Sequence, residues 1–193
     1  MYKYVSSADF VSLLEYDHIE TYSFQRGDEY MRHQQYSIEE YNRLDRVIQK
    51  AIKADGEIKQ EYVSRFEQLK KQVGKTQFLI NEYDKLNFSA QLTHTFNEDD
   101  AIVQKIDTIL RTPAKDVPAW MCAPIFRDGI VYYDKSHSII ACLNICFSCE
   151  YMMLNEYTYI NADASVYAML KNLFISLGHE IDSDNNSTFV RSL

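Results

Sequence analysis

The chain has 193 residues, 46% of them hydrophobic, and 28 Asp and Glu outweigh 20 Lys and Arg to give a net charge of -8. The apolar share is enough for a buried core, and five Gly with three Pro argue against long disordered linkers. The acidic balance repels a phosphate backbone, which sets nucleic acid aside as a partner.

The predicted elements divide the chain unevenly. Residues 1–36 show no clean period, although Phe10, Val11, Leu13 and Leu14 suit a short helix capped by Ser7 or Asp9. Gly27-Asp28 reads as a turn within a loop over 17–33. A helix is expected over 37–54, with Ser37 and Glu40 as its capping box and Ile38, Tyr41, Leu44, Ile48 and Ile52 on one face. Asp55-Gly56 ends it, because Gly tolerates the left-handed conformation there. A second helix over 57–73 places Ile58, Tyr62, Phe66, Leu69 and Val73 together and closes at Gly74. Its Lys59, Arg65, Lys70 and Lys71 alternate with Glu57, Glu61 and Glu67, the pattern of a solvated, salt-bridged face.

Residues 76–96 fit strand or helix equally. A helix over 98–111 follows, capped by Asn97 and stopped by Thr112-Pro113. Ile130 to Tyr133 and Ile139 to Phe147 flank Asp134-Lys135-Ser136-His137, a β-hairpin signal. Tyr157 to Ile160 adds a weak strand. A closing helix over 163–177 starts at Asp163 and ends at Gly178, and residues 183–193 read as a frayed tail. The expectation is one α+β domain over 1–193. Its part over about 1–112 is helical. In the part over about 113–182, a small antiparallel sheet, with the hairpin at about 129–147, is packed by the C-terminal helix.

Cysteine is the one cluster with chemistry to weigh. Cys146 and Cys149 form a C-x-x-C, with Cys122 and Cys142 nearby. Along a strand, Cys142 and Cys146 point away from the apolar face, and Cys149 joins Cys146 only if the chain turns at Phe147-Ser148. Centring the hairpin turn between Lys135 and Ser136 sets Cys122 opposite Cys149. Three thiols then gather at the open end of the hairpin. Cys122, Cys146 and Cys149 form a candidate zinc site that lacks a fourth ligand unless Cys142, His137 or His179 supplies it. A thioredoxin-like role wants the C-x-x-C at a helix N-terminus, and here it follows a strand. Plain core cysteines are the third reading. A catalytic Cys122 with His137 and Asp128 is a further alternative.

No phosphate loop, dinucleotide fingerprint, zinc-protease or nucleophile-elbow motif occurs. Gly74-Lys75-Thr76 imitates the end of a phosphate loop, but its upstream glycine position holds Leu69. No catalytic or cofactor-binding residues are assigned on this reading. The start Met1-Tyr2-Lys3-Tyr4-Val5 lacks a signal-peptide pattern, and no run approaches the ~20 apolar residues of a membrane helix. A cytoplasmic location without a membrane partner is therefore expected, where cysteines serve as free thiols, metal ligands or redox groups.

Cys122-Ala123-Pro124, the strand ending in Tyr133-Asp134, and Ile145-Cys146-Phe147-Ser148-Cys149 resemble a group of small bacterial proteins that share this hairpin signature. The likeness spans about 120–180. It implies a recurring fold and, because no activity is established for the group, supplies no function. Size, acidity and the absence of catalytic groups point instead to a non-enzymatic protein-binding domain. An immunity- or antitoxin-like inhibitor of a bacterial toxin is its concrete form. The fifteen Tyr, seven of them between Tyr2 and Tyr41, suit either a half-buried core or an interface.

Overall fold

The computed structural model describes residues 1–81, 83–119 and 122–181. Two compact units emerge: residues 1–24 with 78 onward, and residues 25–77.

The first unit is built on a seven-stranded mixed sheet, in the order β1-β7-β6-β5-β4-β2-β3. The strands are β1 (Lys3–Ser6), β2 (His18–Ser23), β3 (Gln91–Asn97), β4 (Asp128–Tyr133), β5 (Ile139–Cys146), β6 (Tyr151–Asn155) and β7 (Thr158–Asn161). Three helices accompany them: α1 (Ser7–Ser12), α4 (Ala101–Leu110) and α5 (Ala164–Ser176). The α+β class stands, but a helical first half does not, because β1, β2 and β3 all fall in it. β1 pairs in parallel with β7, more than 150 positions away, while every other ladder is antiparallel. Such a distant partner leaves no local pattern to read.

Strand alternation sends side chains to opposite faces of the sheet. One face carries Ile19, Ile130, Tyr132, Leu143, Ile145 and Ile160, buried against the apolar sides of α1, α4 and α5. The other carries Tyr22, Val131, Cys142, Cys146 and Met153, covered by Leu79 and Phe126 from irregular segments. Each fully buried side chain of this kind contributes about 1.5–3 kcal/mol.

Asn144 stitches that second cover down. Its Oδ1 accepts the Leu79 N–H at 2.7 Å, and its Nδ2 donates to the Met153 carbonyl at 3.1 Å. Gly129 is the position that lets Leu79 in. A Cβ there would stand 2.8 Å from Leu79 Cδ2 and 3.2 Å from the Leu143 carbonyl oxygen.

Helix ends follow side-chain chemistry. Ser6, one residue before the expected Ser7, caps α1 by accepting the Asp9 N–H. Asp100 precedes α4 in place of Asn97. Asp163 caps α5 as expected: one oxygen accepts the Ser165 N–H, and the other accepts the Lys115 and Asp116 N–H groups. The Ser165 hydroxyl and these amides hold the Asp163 carboxyl well below the usual carboxylate range. A depressed folded pKa supports the fold above the unfolded value and loses that support as pH falls through the folded one. Asp163→Ala is therefore expected to lower the melting temperature at pH 7. The gap from wild type should shrink as the pH is taken below the ordinary carboxylate range, and calorimetry across that range checks it.

The second unit holds α2 (Gly27–Lys53) and α3 (Gln60–Lys70). α2 begins ten residues before the expected start, so Ser37 lies inside the helix and is buried rather than capping it. Residues 28–36 are largely exposed and polar, so they show no apolar face to betray a helix. Past its C-terminus, Asp55 takes the left-handed conformation (φ 51°) instead of Gly56. Leu44 and Leu69 are buried, and Tyr41 stacks on Phe66 at 4.9 Å. Arg65 reaches across to Glu40 at 2.7 Å.

Candidate functional site

The structure brings two of the three candidate metal ligands together as a disulfide, Cys122 with Cys149, their Cα atoms 6.5 Å apart. The expected hairpin register is not the reason. Opposed residues sum to 273 along most of β4 and β5, as in Val131 with Cys142, and a bulge lies between Tyr132 and Tyr133. The β4–β5 ladder ends at Ile145 and β5 itself at Cys146, and the chain then turns through residues 147–150, with Glu150 at φ 50°. That turn carries Cys149 to Cys122 outside the ladder.

Cys146 stays behind, buried on β5 with its sulfur 3.4 Å from the Ser148 hydroxyl. Cys142 is buried on the same face of the sheet, and burial pushes its thiol up to about 12. Among the described residues no three His, Cys, Asp or Glu side chains gather as a metal-binding group. Cys122, His137 and Asp128 are not assembled either. His137 sits in the β4–β5 turn beside His18, their rings 5.1 Å apart, and Asp128 pairs with a different histidine.

That histidine is His179. Gly178 takes the left-handed conformation after α5, and the His179 N–H closes the helix on the Phe174 carbonyl. Its ring then turns inward. Nδ1 lies 2.8 Å from Asp128 Oδ1, with side-chain exposures of 0% and 2%. Nε2 lies 2.9 Å from Thr93 Oγ1, which in turn meets Thr21 Oγ1 and the Thr21 carbonyl, each at 2.7 Å. Thr93 is the extra residue where the β2–β3 register shifts. Bulges re-aim side chains in this way. The order carboxylate, imidazole, hydroxyl is that of a nucleophile with its base. Here both ionisable partners are sealed from solvent, and Thr93 is committed to Thr21. The arrangement acts as a clasp that fastens the chain after α5 to β4 and β3. Sequence spacing gave no sign of it, since the partners lie 51 and 86 positions from His179.

Two surface features remain. On edge strand β1 and its neighbour β7, Tyr4 stacks on Tyr159 at 5.1 Å and Tyr2 meets it edge-on at 5.6 Å. Tyr2, Tyr4 and Tyr157 are 59%, 63% and 55% exposed. Burial and the neighbouring Tyr2, Tyr4 and Tyr151 raise the Tyr159 pKa. Elsewhere, the α1–β2, β3–α4 and β4–β5 connections enclose a groove of about 880 Å³. Among the described residues it is lined by Glu15, Asp17, Glu98, Asp99 and Asp134, with Lys135 as the one basic side chain.

No protein-family model matches the chain, and no significant match was found to a curated protein or a solved structure. No helix among the described residues is long and apolar enough to cross a membrane.

Proposed function

We propose that the chain is a non-enzymatic protein-binding domain, with an immunity- or antitoxin-like inhibitor of a bacterial toxin as its concrete form. The observation that carries this reading is the tyrosine cluster. Tyr2, Tyr4 and Tyr157 are each more than half exposed around Tyr159. Tyrosine offers a large, stiff contact surface with a polar tip, and it is enriched where interfaces hold their binding energy. The cluster also stands at β1, the end strand of the sheet among the described residues, and an end strand is where an added strand can pair. The acidic groove supports a partner with basic residues, because opposite potentials speed encounter and fix orientation.

The test is co-expression with the protein encoded beside it, followed by gel filtration and calorimetry. A stable complex is expected. The double variant Tyr2→Ala, Tyr4→Ala should weaken it about 30-fold or more, the effect of losing an aromatic hot spot worth ~2 kcal/mol. Absence of a complex, or a variant that binds as well as wild type, would sink the reading.

A further inference from the structure

The Cys122–Cys149 bridge lies outside the β4–β5 ladder. The strap between α4 and β4 has neither helix nor strand over its described residues, 112–119 and 122–127. Its start is fastened at the α5 N-terminus, where Asp163 accepts the Lys115 and Asp116 N–H groups and the Asp116 carbonyl accepts the Ala164 N–H. Its end is fastened by Phe126, fully buried, and by the Arg127 N–H on the Ile145 carbonyl at 3.3 Å. Between these anchors the bridge is the covalent tie. Cys122 and its neighbours Ala123 and Ile125 are exposed, and Cys149 is half-buried, so the disulfide is open to a small nucleophile. The hairpin ladder and the first core do not include it, and in the second core the half-buried Cys149 packs only at the margin of the buried cluster.

We propose that Cys122–Cys149 is a reversible thiol–disulfide site whose co-reactant is a low-molecular-weight thiol of the glutathione class. A thiolate of that reductant attacks the exposed Cys122 sulfur. A mixed disulfide forms, the S–S bond breaks, and Cys149 leaves as a thiolate that takes up a proton. A second reductant thiolate attacks the mixed disulfide, releases Cys122 as a thiol and carries away the reductant's own disulfide. Two electrons and two protons pass to the protein. Oxidised reductant reverses both steps. Reduction releases Cys122 and its neighbours up to Ile125 while leaving the anchors at Asp116 and Phe126 in place. Cys142 and Cys146 take no part, since both are buried. The inference is independent of the tyrosine surface.

The experiment counts thiols by alkylation after acid quench and denaturation, on full-length protein purified in air without chelator, with metal measured in the same sample. Two thiols are expected at isolation, from Cys142 and Cys146. Four are expected after native incubation with millimolar reduced glutathione, and two again after oxidised glutathione. Thermolysin cleavage between Val117 and Ile125 should quicken about tenfold on reduction, because local opening sets such rates. Cys122→Ser should be cut as fast as the reduced protein, and the wild type with and without glutathione gives the answer should that variant fail to fold. Four thiols at isolation would overturn the proposal, as would a bridge that native glutathione leaves intact, cleavage unchanged on reduction, or one metal ion bound per chain.

Discussion

Asp128→Ala is expected to destabilise the protein by about 3 kcal/mol, read as a lower urea midpoint with an unchanged slope. The Asp128 side chain is 2% exposed and holds His179 Nδ1 at 2.8 Å, so its removal leaves an imidazole nitrogen in a dry site without its partner. Replacing one member of a buried pair costs more than the pair itself contributes, because the survivor keeps its desolvation penalty. Two companions separate this cause from simple loss of volume. Asp128→Asn keeps an oxygen acceptor and should cost less than the alanine. Asp128→Ala combined with His179→Leu removes both polar partners, and its cost should fall below the sum of the single changes by ~1 kcal/mol or more. Additive costs would show that Asp128 and His179 are not coupled.

Gly129→Val should cost about 3 kcal/mol and Gly129→Ala about 1–2 kcal/mol, at the scale of overpacking a filled core. The added Cβ would meet Leu79 Cδ2 at 2.8 Å and the Leu143 carbonyl at 3.2 Å. A leucine tip can usually rotate away from such a contact. Leu79 has little freedom to do so, because it is fully buried and its backbone is tied to Asn144. The Leu143 oxygen belongs to the neighbouring strand and can yield only if the ladder bends. Pairing Gly129→Ala with Leu79→Ala tests the contact. Leu79→Ala alone costs about 2–5 kcal/mol, and adding Gly129→Ala to it should then cost almost nothing. An undiminished penalty for Gly129→Ala in that background would place the strain at Leu143 instead.

These two positions show where the sequence was readable. Ile130 to Tyr133 and Ile139 to Phe147 announced β4 and β5 through β-branched and aromatic runs around a polar turn. Asp163 and Gly178 bracketed α5 through cap chemistry confined to a few neighbouring residues. β1 and β2 were missed because their signals are not local. Lys3 to Ser6 is too short to alternate convincingly, and its partner Thr158–Asn161 lies at the other end of the chain. Gly129 opens β4 to a side chain from fifty residues upstream, a partner that no local pattern reveals. The meeting of Cys122 and Cys149 was anticipated, but by a register two short of the one most of the ladder takes, the bulge at Tyr132/Tyr133 supplying one of the two. What brings the sulfurs together is the turn after Cys146. The tyrosines were the hardest to place. Tyr132 is fully buried and Tyr4 is 63% exposed, and nothing in the residues beside them distinguishes the two.

Exposed tyrosine on an edge strand is the foundation of the binding reading, so the most direct measurement is a footprint of the complex. Hydrogen–deuterium exchange should be followed on the chain alone and bound to the protein encoded beside it. The expected result is slowed exchange in the amides of residues 2–6 and 157–161, with the groove connections at 14–17 and 98–99 protected to a lesser degree. A complex that protects other surfaces and leaves residues 2–6 unchanged would contradict the account.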